Sequence, residues 1–226
     1  MRNQVFSSRF SDAPWLLKDK PDITVGGAGG ISSWVLLFLS RTANYNRIYL
    51  YEDDVIDDTN MAGQFFRVDQ VGLNKTEAIK DNMFLFSDYV MIDALGRFEE
   101  DSMVTPIVIS GFDNMKARKD MFEAWKKLDN REIFIDGRMI FEDGQVYTVT
   151  KGNEERYEAT LFNDEELAPA ACSLKATTHT GAHIASIMIA ILNNYLANVY
   201  FYKYPMRDVP FSYIFSFPPL LVELNV

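Results

Sequence analysis

The chain has 226 residues, of which 48% are hydrophobic and 24% charged, a composition typical of a globular domain with a substantial core. Its formal net charge of −10 argues against binding to nucleic acid or to an anionic membrane, because both need clustered basic residues. Cys172 is the only cysteine, so one chain offers neither a disulfide nor a cysteine zinc site, and a reducing, cytoplasmic compartment is expected. The N-terminal segment has no apolar core, so no signal peptide is predicted.

Strands and helices are predicted to alternate through the first part of the chain, which indicates a mostly parallel sheet. The predicted strands are 23–25, 47–51, 89–94, 106–110 and 133–136, and the helices are 31–39, 75–86 and 114–128. Residues 144–150 alternate with period two, as an antiparallel strand does. Residues 151–166 are predicted to be loop or edge strand, and 178–198 a long helix. The prolines of 204–226 favour short extended segments.

These elements predict a single α/β domain. We expect a Rossmann-like, mostly parallel sheet with helices on both faces, continued by antiparallel strands in the C-terminal half. The predicted parts are an N-terminal arm (1–21), a nucleotide-binding core (22–198) and an extended C-terminal tail (199–226). The most apolar stretch, 184–192, is too short to span a bilayer, so no membrane segment is predicted.

The strongest local signal is the glycine-rich sequence GGAGGIS at 26–32, between a predicted strand and a predicted helix. Glycines allow a tight turn and a close approach to a phosphate, and the helix N-terminus attracts an anion. Glu52 follows the second predicted strand, where an acidic side chain suits a ribose hydroxyl. A tight turn without a ligand and a dinucleotide site remain alternatives, although Ser32 replaces the third glycine of the dinucleotide fingerprint.

The following segments resemble, in order, the motifs of the ThiF/MoeB superfamily, which includes the ubiquitin-activating enzymes. GAGGISS (27–33) resembles its GxGGxGS loop, EDDVIDDTN (52–60) its DxDxVxxSN element, NMAGQ (60–64) its NLxRQ motif and GLNK (72–75) its GxxK motif. Asp113 and Asn114 with Arg118 resemble its DNxxxR segment, and Gly137 with GQV (144–146) its SG and GQ strand pair. Cys172 precedes a loop and an apolar helix, as in the family's crossover loop and last helix.

The resemblance implies an adenylation domain. In this family a partner's C-terminal carboxylate attacks the α-phosphate of Mg-ATP, giving an acyl-adenylate and pyrophosphate, and a cysteine or sulfur donor often captures the acyl group. The implied ligands are ATP and Mg²⁺, the implied partner is a ubiquitin-like protein, a sulfur carrier or a peptide, and the implied assembly is a homodimer. No structural zinc is predicted, because paired CxxC motifs are absent.

The resemblance also implies a role for each matched residue. The glycine loop would leave room for the nucleotide, Glu52 would bind the ribose, and Asp113 would hold Mg²⁺ near the α-phosphate. Asn60, Gln64 and Lys75 would face the phosphates. The residues expected at the nucleotide are Gly27, Ala28, Gly29, Gly30, Ile31, Glu52, Asp54, Asn60, Gln64, Lys75 and Asn114, and those expected to serve catalysis are Lys75, Asp113, Arg138 and Cys172.

One departure from the family pattern concerns phosphate charge. The arginine of NLxRQ is replaced by Gly63, so another cation is needed at the phosphates. Arg67, Arg138 and Arg9 are candidates: Arg138 is favoured, and Arg9 inserted from a neighbouring subunit comes second. A weak or inactive homologue that binds ATP as a scaffold stays open, as does an NAD-dependent oxidoreductase.

Cys172 has two interpretations, a nucleophile or a small buried hydrophobe. Lys175, His179 and a nearby helix N-terminus favour a thiolate. His179 and His183 lie four residues apart on the predicted helix, but two ligands do not make a metal site.

The Cys172→Ala variant separates these interpretations. If Cys172 accepts the acyl group, the variant keeps ATP–pyrophosphate exchange and loses any thioester, because only the second step needs the thiol. Non-reducing gels and mass spectrometry check the adduct. A thioester that persists in the variant means that Cys172 is structural.

Overall fold

The computed structural model describes residues 19–42, 45–87, 89–163, 177–200 and 206–226. Its strands are β1 Ile23–Gly26, β2 Ile48–Tyr51, β3 Ile92–Gly96, β4 Ile107–Ser110, β5 Ile133–Ile140, β6 Asp143–Val149, β7 Ser212–Ser216 and β8 Leu221–Asn225. Its α-helices are α1 Ser32–Thr42, α2 Lys75–Phe84, α3 Met115–Lys126, α4 Glu154–Glu158 and α5 Thr178–Tyr200. Two short 3₁₀ helices, Asp58–Ala62 and Val68–Gln70, lie between β2 and α2.

The eight strands form one sheet in the order β3-β2-β1-β4-β5-β6-β7-β8. The first five are parallel, and β6, β7 and β8 continue the sheet in antiparallel pairs. After β1 the chain proceeds to β2 on one side, whereas β4 lies on the other side of β1. The carboxyl ends of β1 and β4 therefore enclose a topological switch point, the usual ligand position in an open α/β sheet.

Helices cover both faces of the sheet, as predicted. On β5, Ile133 and Ile135 share a core with α1, α2 and α5. The intervening Phe134 points to the other face, where it packs with Phe122 and Trp125 of α3 and Tyr157 of α4. This alternation follows from the two-residue period of a strand.

Helix α5 is the longest helix among the described residues. By length and composition it is apolar enough to cross a membrane, a test that core helices of globular proteins also pass. In this fold it packs against α1, β5 and β6, and it buries Ile184, Met188, Leu192 and Leu196. The core therefore accounts for its apolar face.

The prediction of loop or edge strand for residues 151–166 was wrong, because this segment contains helix α4. Glu154 and Glu155 lie in its first turn, where negative charge is favourable. Glu154 also pairs with Arg131 at 2.8 Å. Tyr157 is fully buried against Phe122, so an aromatic contact and the ion pair of Glu154 both hold the short helix in place.

Two strand boundaries differ from the predictions by three or more residues. Strand β3 starts at Ile92 rather than at residue 89, because the Tyr89 backbone carbonyl accepts the Tyr45 hydroxyl at 3.3 Å instead of pairing with a strand. Strand β5 continues to Ile140, because its second half pairs with β6. Both differences depend on neighbouring segments rather than on local sequence.

Gly181 of α5 contacts the glycine loop directly, and a Cβ atom at this position would overlap the Gly30 carbonyl oxygen. We expect Gly181→Ala to lower the free energy of unfolding by about 1–3 kcal/mol through this overlap, although alanine favours a helix. Urea unfolding measures the change. Ser186→Ala, at an exposed position of α5, should stay within about 0.5 kcal/mol. A Gly181→Ala protein as stable as the wild type would contradict the contact.

Candidate functional site

The glycine loop connects β1 to α1 across the switch point. Gly27 has φ +80°, a left-handed conformation that glycine adopts without strain. A hydrogen bond joins the two ends of the loop, since Ser32 Oγ donates to the Gly26 carbonyl at 2.9 Å. A Cβ atom at Gly29 would meet nothing within 4 Å. The loop therefore leaves open space beside the N-terminus of α1, which suits an anion such as a phosphate.

Glu52 connects the end of β2 to this loop. One carboxylate oxygen accepts the Ala28 N–H at 2.7 Å, and the other accepts the N–H groups of Asp53 at 3.0 Å and Asp54 at 2.9 Å. A carboxylate offers about four acceptor positions, so one remains for a ribose hydroxyl. Glu52 therefore orders the loop, and its ribose-binding role stays a prediction.

Lys75 is buried at the start of α2, next to the same acidic segment. Its ammonium group lies 2.7 Å from an Asp54 oxygen and 3.9 Å from a Glu52 oxygen. Asn74 positions this residue by capping α2 through the Thr76 N–H at 2.9 Å. Lys75 thus compensates the carboxylates beside the glycine loop, and any contact with phosphate would compete with this pairing.

The segment from Asn60 to Gln64 lies between these elements. The Asn60 side-chain oxygen accepts the Asp57 N–H at 3.0 Å, which completes the capping box of the 3₁₀ helix Asp58–Ala62. The Gly63 carbonyl accepts the Trp34 indole N–H at 3.1 Å. In contrast, the Gln64 side-chain oxygen is buried and has no hydrogen-bond partner among the residues that the structure describes. Buried polar atoms are normally satisfied, so this acceptor oxygen is an exception, and the expected contact of Gln64 with the phosphates stays a prediction.

Asp113 follows β4 on the other side of the switch point. The Gly111 N–H donates to the Gly26 carbonyl at 3.1 Å, and a Cβ atom at Gly111 would overlap Ser32 Oγ. The turns after β1 and β4 are therefore in direct contact. Asp113 is exposed, and Asn114 caps α3 through the Ala117 N–H at 2.8 Å. An exposed carboxylate at this edge fits the oxygen ligands that Mg²⁺ prefers.

Arg138 belongs to a buried network around Asp136, which is fully buried. Asp136 accepts hydrogen bonds from Arg118, from Arg138 Nε at 2.7 Å and from the Tyr157 hydroxyl at 3.0 Å. The other Arg138 nitrogens donate to Thr160 at 2.8 and 3.0 Å. Burial lowers the pKa of Arg138, but Asp136 and Tyr157 together outweigh burial and hold that pKa above its ordinary value. The Arg138 guanidinium is therefore charged, and each of its nitrogens already donates a hydrogen bond within the protein.

The structure brings most of the sequence-predicted site residues to the carboxyl edge of β1, β2 and β4. Two of the arginines that could replace the missing family arginine are not available at this edge. Arg67 is engaged with Asp69 at 3.0 Å and Asn82 at 2.6 Å, and Arg138 is engaged as described above. Arg9, Cys172 and Lys175 lie outside the described residues.

Sequence reasoning missed the contributions of Asp136, Tyr157 and Thr160. An available signal was Asp136 itself, a carboxylate within the apolar strand sequence IFID. A buried charge needs a partner, and Arg118 and Arg138 are the partners that the structure shows.

His179 and His183, which lie four residues apart on α5, each have contacts within the protein. His183 Nε2 lies 3.2 Å from the Tyr213 hydroxyl, and its ring stacks edge-on against Phe215. His179 lies over Phe217 and 3.5 Å from a Glu142 oxygen. These contacts account for both side chains without a metal ion.

Together the sheet order and the loop define a Rossmann-like α/β protein with the geometry of a nucleotide site. The ThiF family model matches residues 17–197. The chain therefore belongs to the ThiF family.

Relatives of known activity are similar over part of their length. The chain is 24% identical to the NEDD8-activating enzyme E1 catalytic subunit of Saccharomyces cerevisiae over 191 residues, covering 76% of the chain and 63% of the relative. It is 28% identical to ubiquitin-like modifier-activating enzyme 5 of Caenorhabditis briggsae over 119 residues, covering 45% of the chain and 27% of that enzyme. The chain thus spans less than two thirds of either relative.

Solved structures share the fold. E. coli MccB in complex with ATP has a TM-score of 0.67 and 15% identity, with 93% of this chain and 64% of MccB covered. PaaA has a TM-score of 0.69 and 17% identity, with 91% of this chain and 63% of PaaA covered. At this level of identity the likeness establishes the arrangement of the sheet and helices.

Removing the charge of Asp136 tests the buried network. We expect Asp136→Asn to lower the free energy of unfolding by about 3–5 kcal/mol, because two buried guanidinium groups lose their counter-ion. Tyr157→Phe removes one hydrogen bond from the same carboxylate and should cost about 1 kcal/mol. Urea unfolding compares the two variants. Equal losses would show that the carboxylate does not compensate both arginines.

Proposed function

We propose that this chain is an ATP-dependent adenylyltransferase that activates the C-terminal carboxylate of a ubiquitin-like, sulfur-carrier or peptide partner. The observation that carries the proposal is the contact between the glycine loop and the turn leading to Asp113, in a chain of the ThiF family. In the proposed step, a carboxylate oxygen forms a bond to the α-phosphorus of ATP. The bond from that phosphorus to the bridging oxygen breaks, and pyrophosphate leaves.

The charges of the reactants explain why such a site needs these groups. A negative carboxylate must approach a negative triphosphate, which requires preorganised donors and cations. The open loop and the N-terminus of α1 offer N–H groups for the phosphates. Mg²⁺ bound by Asp113 would supply positive charge at the α-phosphate. Glu52 and Lys75 hold the loop and its acidic border in place.

The replacement of the family arginine by Gly63 bears on how the phosphates are neutralised. Arg67 and Arg138 are engaged with carboxylates, so neither offers a free guanidinium. We therefore favour Mg²⁺, assisted by Lys75 and by Arg9 of a neighbouring subunit in a cytoplasmic homodimer. Arg138 would add its charge from beneath the site.

A second candidate function is an ATP-binding scaffold of the same fold without catalysis. Gly63 favours it, because the family residue that neutralises phosphate charge is missing. An NAD-dependent oxidoreductase is less favoured. Its fingerprint glycine is replaced by Ser32, and the ThiF family matches the chain instead.

ATP–pyrophosphate exchange with small proteins ending in Gly-Gly and with short peptides tests the proposal. We expect exchange by the wild type and a loss of about 100-fold or more in Asp113→Ala, because one preorganised charge at the reacting phosphate is removed. The fold should persist, since Asp113 is exposed. Asp129→Ala, at an exposed position after α3, is the matched control and should retain exchange.

The outcomes separate the candidate functions. Retained exchange in Asp113→Ala would contradict the Mg²⁺ role. ATP binding without exchange by the wild type would favour the scaffold. Binding of NADH in a fluorescence titration, with no binding of ATP, would favour the oxidoreductase.

A further inference from the structure

A cavity of about 480 Å³ lies on the α3 side of the sheet, over the antiparallel strands. Its apolar lining includes Met115 at the start of α3, Ile140 of β5, Phe162 after α4, Ile214 of β7 and Leu221 of β8. The volume falls within the range of about 300–1,000 Å³ that is typical of binding pockets. The cavity is therefore large enough for a bulky side chain.

The cavity is contiguous with the proposed reaction centre. Asp113 and Arg138 line it together. Cross-strand pairs continue this lining through the sheet: Arg138 of β5 pairs with Gln145 of β6, which pairs with Ile214 of β7, which pairs with Glu223 of β8. The cavity thus runs across four strands, from the side of Asp113 to the edge strand β8. If the C-terminus of a partner protein reaches Asp113, the residues that precede this C-terminus would lie over these four paired positions.

The charges around the cavity favour a cationic neighbour. Asp113, Asp143 and Glu223 line it with exposed carboxylates. The two cationic lining residues, Arg118 and Arg138, share the buried carboxylate of Asp136. The surface that a partner meets is therefore apolar at the centre and acidic at the margin, on a chain with a net charge of −10.

We propose that this cavity selects the partner by a large apolar side chain near its C-terminus, with a basic residue next to it. This inference rests on the proposed function and names its substrate class: C-terminal segments with an apolar and a basic side chain, rather than segments of glycine alone. A glycine tail presents no side chain to the cavity and would leave its apolar lining in water. An aliphatic side chain would cover that lining, which favours binding.

A positional scan of fluorescein-labelled heptapeptides with free C-terminal carboxylates tests the selection. One of the last four positions carries Leu next to Lys, and the remaining positions are Gly and Ser. Fluorescence polarisation with the full chain gives the dissociation constants. We expect at least one placement of Leu-Lys to bind about tenfold or more tightly than the Gly/Ser peptide. Equal binding across the scan would overturn the proposal.

Two neighbouring positions on β8 give a matched pair of variants. Leu221 lines the cavity and is 51% exposed, whereas Val222 is 53% exposed and is not part of the lining. Leu221→Glu should abolish the preference for Leu, and Val222→Glu should retain it. Because both positions are half-exposed on one edge strand, the two variants should fold equally well. Equal effects on the preference would refute the assignment of the cavity.

Charge reversal at the margin tests the basic neighbour. Glu223→Lys should shift the preference from Leu-Lys to Leu-Glu peptides, whereas Glu100→Lys, at an exposed position outside this cavity, should not. An unchanged preference in Glu223→Lys would remove the basic residue from the proposed substrate class.

The readouts distinguish this proposal from the proposed function. Leu-dependent binding without ATP–pyrophosphate exchange would support the docking site and oppose adenylation. Exchange that is independent of the peptide side chain, and unaffected by Leu221→Glu, would support adenylation and oppose the docking site.

Discussion

The arrangement of the site depends on the close contact between the turns that follow β1 and β4. The Gly26 carbonyl accepts both the Gly111 N–H and the Ser32 hydroxyl. A side chain at Gly111 would overlap Ser32, so the two turns can approach this closely only with glycine there. This contact places the glycine loop beside the segment that carries Asp113. Gly181 extends the same constraint to α5, which packs on the Gly30 carbonyl. Several elements of the fold thus meet at the loop.

The Asp136 network is a second constraint, and it supports the partner side of the site. Two guanidinium groups around one fully buried carboxylate are costly to desolvate, and the hydrogen bonds from Tyr157 and to Thr160 offset part of that cost. The network joins α3, β5 and the segment after α4. It therefore fixes the floor of the cavity that we assign to the partner, and it explains why Arg138 is not a free phosphate ligand.

Asp113 lies where these two parts meet. On one side is the glycine loop, with the open space at Gly29. On the other side is the apolar cavity with its acidic margin. A nucleotide and a peptide terminus would therefore approach Asp113 from different sides of the switch point. This geometry suits a reaction that joins a carboxylate to a phosphate.

The sequence by itself determined the glycine loop, the alternation of strands and helices, the antiparallel β6 and the position of Asp113 after a buried strand. These features depend on backbone preferences and on periodicity within a few residues. Only the tertiary structure decided that α4 is helical, that Glu52 binds the Ala28 N–H and that Arg138 pairs with Asp136 and Thr160. The reason is physical: those contacts depend on which strands become neighbours, and strand order is a property of the whole sheet.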